Sequence, residues 1–85
     1  MPRYFFTVQG DPEPDREGNE IPDLALAKCE AVKMAGHLIC DAASTFWDTQ
    51  QFTMSVTNEA GLTLFTLEFL GLEAPSIMNW PGSTR

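Results

Sequence analysis

The chain has 85 residues, 44% of them hydrophobic, and carries a formal net charge of −7 with a pI near 4.3. A single domain fits that length and buries only roughly 60–65% of the surface its unfolded form exposes, while six Phe, two Trp and one Tyr set the composition apart from a disordered chain. The five basic residues, Arg3, Arg16, Lys28, Lys33 and Arg85, are scattered, which argues against nucleic-acid binding because phosphate recognition needs clustered Lys and Arg.

The first element is a strand. Residues 2–8 alternate Tyr4, Phe6 and Val8 against Arg3, Phe5 and Thr7, and aromatic and β-branched types suit a pleated, half-buried surface. A connector from Gly10 to Glu20 follows, with Pro12 and Pro14 unable to donate to a ladder. Within it a short second strand, about Arg16 to Ile21, folds back on the first, weakened by Gly18 and Asn19. Six of the twelve acidic residues lie between the first strand and the helix: Asp11, Glu13, Asp15, Glu17, Glu20 and Asp23.

A helix is predicted from Pro22 or Asp23 to about Ala43, with Asp23 capping free N–H groups at the positive end of the dipole. At 100° per residue, Leu24, Ala27, Ala31, Met34, Ala35, Leu38 and Ala42 share one face, and Glu30, Lys33, His37 and Asp41 the opposite one. The alanines allow close approach to a sheet, so Tyr4, Phe6, Phe52 and Phe65 are expected to supply the bulk. Lys28 is expected to snorkel toward the acidic connector. Cys29 and Cys40 lie about 16 Å apart along this helix and cannot pair, so two reduced, partly buried thiols are expected.

After a linker, Ser44 to Thr49, residues 51–57 place Phe52, Met54 and Val56 on one face and Gln51, Thr53, Ser55 and Thr57 on the other. Asn58-Glu-Ala-Gly61 reads as a hairpin turn with Gly61 left-handed. A four-residue loop sets Thr57 opposite Leu62, Met54 opposite Phe65 and Phe52 opposite Leu67, collecting Phe52, Met54, Val56, Phe65, Leu67 and Phe69 on one side. Leu62, Leu64 and Phe5 then lie on the outer face, and that face, or a sheet edge, is expected to be covered by a second subunit or by the tail. The tail, 71–85, loses periodicity, and its Ile77, Met78 and Trp80 are candidates for docking while the last residues fray.

The connector is the one local concentration of chemistry. Glu13, Asp15 and Glu17 alternate before Gly18, as in the opening of a calcium loop, but the twelfth position from Glu13 is Leu24, where a bidentate Glu is needed. His37 with Cys40 or Asp41 offers two ligands where structural zinc needs four. The thiols lie away from the helix N-terminus, and no second histidine exists to serve as a base. No metal, no cofactor and no catalytic residue is therefore expected, and the chain reads as a protein that is not an enzyme. Asp11, Glu13, Asp15, Glu17 and Glu20 are the candidate partner-binding residues.

Three motifs together, Met1-Pro-Arg-Tyr-Phe-Phe6, Glu17-Gly-Asn-Glu-Ile-Pro-Asp-Leu24 before an alanine-rich helix, and Asn58-Glu-Ala-Gly61 between two late strands, resemble a group of short proteins of unknown function found in rhizobia and related alphaproteobacteria. The likeness covers residues 1–69. It implies a one-domain cytoplasmic protein and carries over no catalytic residue. A looser likeness is to antitoxins of the HicB type, which also place a strand, an acidic loop and Pro-Asp-Leu before a helix, although there the helix starts several residues later.

The expected architecture is α+β in the order β-β-α-β-β: a small antiparallel sheet over residues 1–70 with one long amphipathic helix packed on one face, then the irregular tail. The chain lacks roughly 18–20 consecutive apolar residues and a signal-peptide pattern, so the cytoplasm is its expected location. The expected function is an interaction or structural module that forms a homodimer. The alternative is a HicB-like inhibitor that covers a small basic ribonuclease with the acidic loop. No nucleic-acid or membrane partner is expected.

Overall fold

The computed structural model describes residues 1–78. Its elements are β1 (Arg3–Val8), β2 (Asn19–Glu20), α1 (Leu24–Asp41), α2 (Phe46–Thr49), β3 (Gln51–Thr57), β4 (Thr63–Leu70) and α3 (Pro75–Met78). The strands form one antiparallel sheet in the order β2-β1-β3-β4, and α1 packs over β3 and β4. The α+β architecture expected from the alternating strand patterns and the helical apolar stripe is the one observed.

Period-2 patterning decides which side of each strand is buried. Tyr4 and Phe6 from β1 and Met54 and Val56 from β3 point into the core, with Val8, Phe52, Phe65 and Leu67 packed around them. From α1 come Ala27, Ala31 and Ala35, all fully buried. Spaced four residues apart, they form a single ridge, and with no side chain beyond Cβ they bring the helix backbone close to the sheet. Ile21, just before the helix, completes the eight buried hydrophobic residues among those described.

The contact is shorter than the helical stripe. Leu24 and Leu38 are 41% and 39% exposed, and Ala42 is also exposed, so three of the seven residues expected to face inward do not. A straight helix meets a twisted sheet over a limited length, and here only the turns between Ala27 and Ala35 are seated. The N-terminus forms as expected, with the Leu26 N–H donating to the Asp23 carboxylate at 2.9 Å. Lys28 and both cysteines are exposed. The thiols, expected to be partly buried, thus lie outside the narrow buried ridge.

Two connectors differ from expectation. The second strand is only Asn19–Glu20, because Gly18 in a left-handed conformation, φ 72°, breaks the extended chain before it. The linker before β3 contains the helical turn α2, too short for periodicity to reveal. Its Phe46 and Trp47 rings meet edge to face at 5.7 Å. They cover Gly71, where an added Cβ would lie 2.8 Å from Trp47 Cζ3 and 2.9 Å from Phe46 Cε2.

In the β3–β4 hairpin the six residues expected to share a face do so, but the register differs, and Leu64, expected on the outer face, is the extra residue of a bulge and packs against the core. Phe52, Met54 and Val56 oppose Phe69, Leu67 and Phe65, two residues further along β4 than a plain four-residue loop gives. The Asn58 carboxamide accepts the Ala60 and Leu62 N–H groups, and the Asn58 N–H donates to Leu62 O. The turn is thereby closed with Gly61 at φ 81°. A bulge next to Val56 and Thr57 then absorbs an extra residue. Loop plus bulge shift the register by two, an even number, so the same side chains stay on the same face. In the tail, Pro75–Met78 form a helical turn; Trp80 and the final residues lie outside the described residues.

Enlarging the buried ridge is expected to be costly. Ala31→Leu should lower the unfolding free energy by about 1–3 kcal/mol through overpacking, while Ala25→Leu on the exposed side of the same helix should stay within about 0.5 kcal/mol. Urea unfolding of the two variants tests this.

Candidate functional site

A four-stranded sheet has two edges, and β1 would offer one of them over most of its length. β1 exchanges ladder bonds with β3 through its odd-numbered residues: the Gln9 N–H donates to Thr53 O at 2.9 Å, and the constant register extends that parity back to Thr7 and Phe5. The amides of Tyr4, Phe6 and Val8 therefore face away from β3. The acidic connector meets them there. Tyr4 pairs with Asn19 of β2, the Phe6 N–H donates to Asp15 Oδ2 at 3.1 Å, and Val8 O accepts the Asp11 N–H at 3.1 Å.

Asp15 is the centre of this arrangement. Its other oxygen, Oδ1, accepts the Glu17 N–H at 3.2 Å and the Gly18 N–H at 3.0 Å, so one carboxylate ties three backbone donors together and is half-buried by them. Gly18 must be glycine. An added Cβ would lie 2.8 Å from Arg3 Cγ and 2.9 Å from Tyr4 O, and the positive φ independently disfavours any other residue.

The remaining carboxylates divide in the same way. Asp11 Oδ1 accepts the Glu13 N–H at 2.9 Å in an Asx turn. Glu20 pairs with Arg3 at 2.7 Å, and the same guanidinium donates to Glu17 O at 2.7 Å. Both charged groups of this pair are partly exposed, so it orients the loop more than it stabilises it. Arg3, and not Lys28, is the cation that the connector engages. The side chains of Glu13 and Glu17 face solvent beside an open concavity between Pro12 and Asn19.

The structure thus places all five sequence-predicted residues along one sheet edge and gives three of their carboxylates internal partners. Among the described residues, no group of three or more His, Cys, Asp and Glu side chains is placed to hold a metal ion. His37, Cys29 and Cys40 are exposed on α1. No helix among the described residues is long and apolar enough to cross a membrane.

The opposite edge is β4. It runs eight residues, Thr63–Leu70, with Glu68 its one charged side chain, and has no strand beyond it among the described residues. The Gly71 N–H donates to Gln50 O at 2.9 Å. Continuing that parity through the register turns the amides of Phe69, Leu67 and Phe65 toward β3. Those of Thr66, Glu68 and Leu70 point out of the sheet. The side chains of Leu62, Phe69, Leu70 and Leu72 flank this edge, and all are exposed. The signal in the sequence was a long apolar strand at the end of the domain, but only strand order reveals it as an edge.

Fold and site define a small α+β domain with one sheet edge sealed from within and the other, among the described residues, without a partner strand. The chain belongs to the family described as Domain of unknown function (DUF6894), whose model matches residues 3–70. No curated protein matches the chain, and no solved structure does.

The sealing role of Asp15 has a direct test. Asp15→Ala leaves the Phe6, Glu17 and Gly18 amides without their acceptor and should cost about 1–3 kcal/mol, with faster hydrogen exchange at Phe6. Glu13→Gln should leave both the unfolding free energy and that exchange rate unchanged.

Proposed function

We propose that the protein is a non-enzymatic interaction module that associates with itself. The observation that carries this reading is the contrast between the two edges. Natural sheets blunt exposed edges with prolines, charges, bulges or covering loops because unpaired N–H and C=O groups recruit other strands. Here β1 is shielded by β2, the Asp15 carboxylate and the turn at Asp11, whereas β4 is long and apolar and has no strand beyond it among the described residues. A core of eight buried hydrophobic residues among those described, three of them alanine, also belongs to a chain that gains by burying more surface on a second copy. Two free, exposed thiols suit a reducing, cytoplasmic setting. Light scattering at tens of micromolar should report twice the 9.4 kDa of the chain. A monomer mass throughout that range would remove this reading.

A second reading is inhibition of a basic protein, such as a small ribonuclease, through the acidic connector. Its support is the exposure of Glu13 and Glu17 within a segment, Asp11 to Glu20, holding five carboxylates and one arginine. Asp15, Glu20 and Asp11 already serve the chain itself, which narrows the docking charge to those two glutamates. This reading predicts that a basic nuclease recovered with the protein is released by the Glu13→Gln/Glu17→Gln double substitution and by raised salt. Recovery unaffected by either would exclude it.

A further inference from the structure

We propose that β4 pairs antiparallel with β4 of a second copy about a twofold axis through Leu67, joining two four-stranded sheets into one of eight strands. This rests on the self-association reading and adds the surface and the register. It begins from the outward amides: Thr66, Glu68 and Leu70 carry donors and acceptors directed away from β3, so these even-numbered residues must form the hydrogen-bonded pairs with any added strand.

The sequence of the edge then selects the occupant. Residues 64–70 read Leu-Phe-Thr-Leu-Glu-Phe-Leu, which is palindromic about Leu67 except that Thr66 stands where its mirror position has Glu68. An isologous interface requires a self-complementary surface, and this strand supplies one. With the axis at Leu67, Leu67 meets its own copy, Phe65 meets Phe69, and the Thr66 hydroxyl sits opposite the Glu68 carboxylate, to which it can donate a hydrogen bond. Each cross-strand pair is apolar with apolar or donor with acceptor.

The neighbouring registers fail on the same residues. An axis at Glu68 sets two carboxylates directly opposite each other, which is destabilising. An axis at Thr66 sets Glu68 against Leu64 and leaves Phe69 opposite Thr63. An axis at Phe69 sets Glu68 against Leu70. A register offset by one residue mismatches the outward amides.

The surrounding structure agrees with the Leu67 axis. The bulge is confined to the hairpin end, leaving Phe65 to Leu70 regular for a new ladder. Phe65, Leu67 and Phe69 stand on the face that α1 covers, and Phe69 already stacks edge to face on Phe52 at 6.0 Å. Pairing places Phe65 of the second copy beside Phe69, which is 38% exposed in the single chain. The two helices then lie on the same face of the eight-stranded sheet, since a twofold axis normal to the sheet preserves the face.

Cysteine cross-linking tests the register in the full chain carrying Cys29→Ser and Cys40→Ser. Leu67 and its copy form a non-hydrogen-bonded pair with Cα atoms about 4.5 Å apart, within disulfide range. Leu67→Cys should therefore give a covalent dimer under mild oxidation. Thr66→Cys, whose copies lie roughly 8–9 Å apart from the strand rise and spacing, should not. Glu68→Pro removes an outward N–H at an edge position the monomer tolerates and should give a monomer with an unchanged far-ultraviolet circular dichroism spectrum. If the unmodified chain is a dimer but Leu67→Cys does not bridge, or Glu68→Pro remains a dimer, this interface is wrong while self-association stands. If the unmodified chain is a monomer, both fall.

Discussion

The Asp15 carboxylate accepts the outward amide of Phe6 and two amides of its own loop, and the arrangement of the sheet follows from that closure. Without an acceptor there, β1 would present unpaired amides to solvent on the side away from β3. With it, a two-residue β2 and a proline-bearing loop suffice to finish the edge, because a carboxylate can satisfy several donors at once where a backbone carbonyl accepts fewer. β1 is thereby secured on both sides and supplies two of the largest core residues, Tyr4 and Phe6.

The core is narrow for a related reason. Three alanines seat α1, so the helix lies close to the sheet but touches it over two turns only. Dispersion contacts and apolar burial accumulate with area, and a ridge of methyl groups contributes little of either beyond what the sheet residues bring to it. Much of the chain's apolar surface consequently stays outside. Leu24, Leu26, Val32 and Leu38 flank the helix contact, and Leu62, Phe69, Leu70 and Leu72 flank β4. The second group coincides with outward backbone donors and acceptors, and that coincidence makes β4 the surface on which a second chain can add both a hydrogen-bond ladder and apolar burial.

The acidic connector takes on a different meaning in three dimensions. Its charges look uniform along the chain, yet Asp15, Asp11 and Glu20 hold backbone or Arg3 groups, while Glu13 and Glu17 meet water. Carboxylates close together in sequence thus have separate physical roles. Gly18 shares the structural part: its left-handed backbone and its close approach to Arg3 and Tyr4 return the chain to β1.

Alternation in residues 3–8 and 51–57, the stripe beginning at Ala27, the Asp23 cap and the Gly61 turn were all legible in the sequence, because each depends on the local period of side chains or on backbone preferences within a few residues. The palindrome about Leu67 was equally present in the sequence, though nothing local marked it as meaningful. Tertiary structure alone decided that β3 lies between β1 and β4, that the hairpin slips by two residues through its loop and a bulge, that Leu24 and Leu38 are left partly exposed, and that Asp15 seals one edge while β4 has no partner strand among the described residues. These depend on which distant amides meet an acceptor and on where a straight helix can touch a twisted sheet, and neither is encoded in the spacing of neighbouring residues.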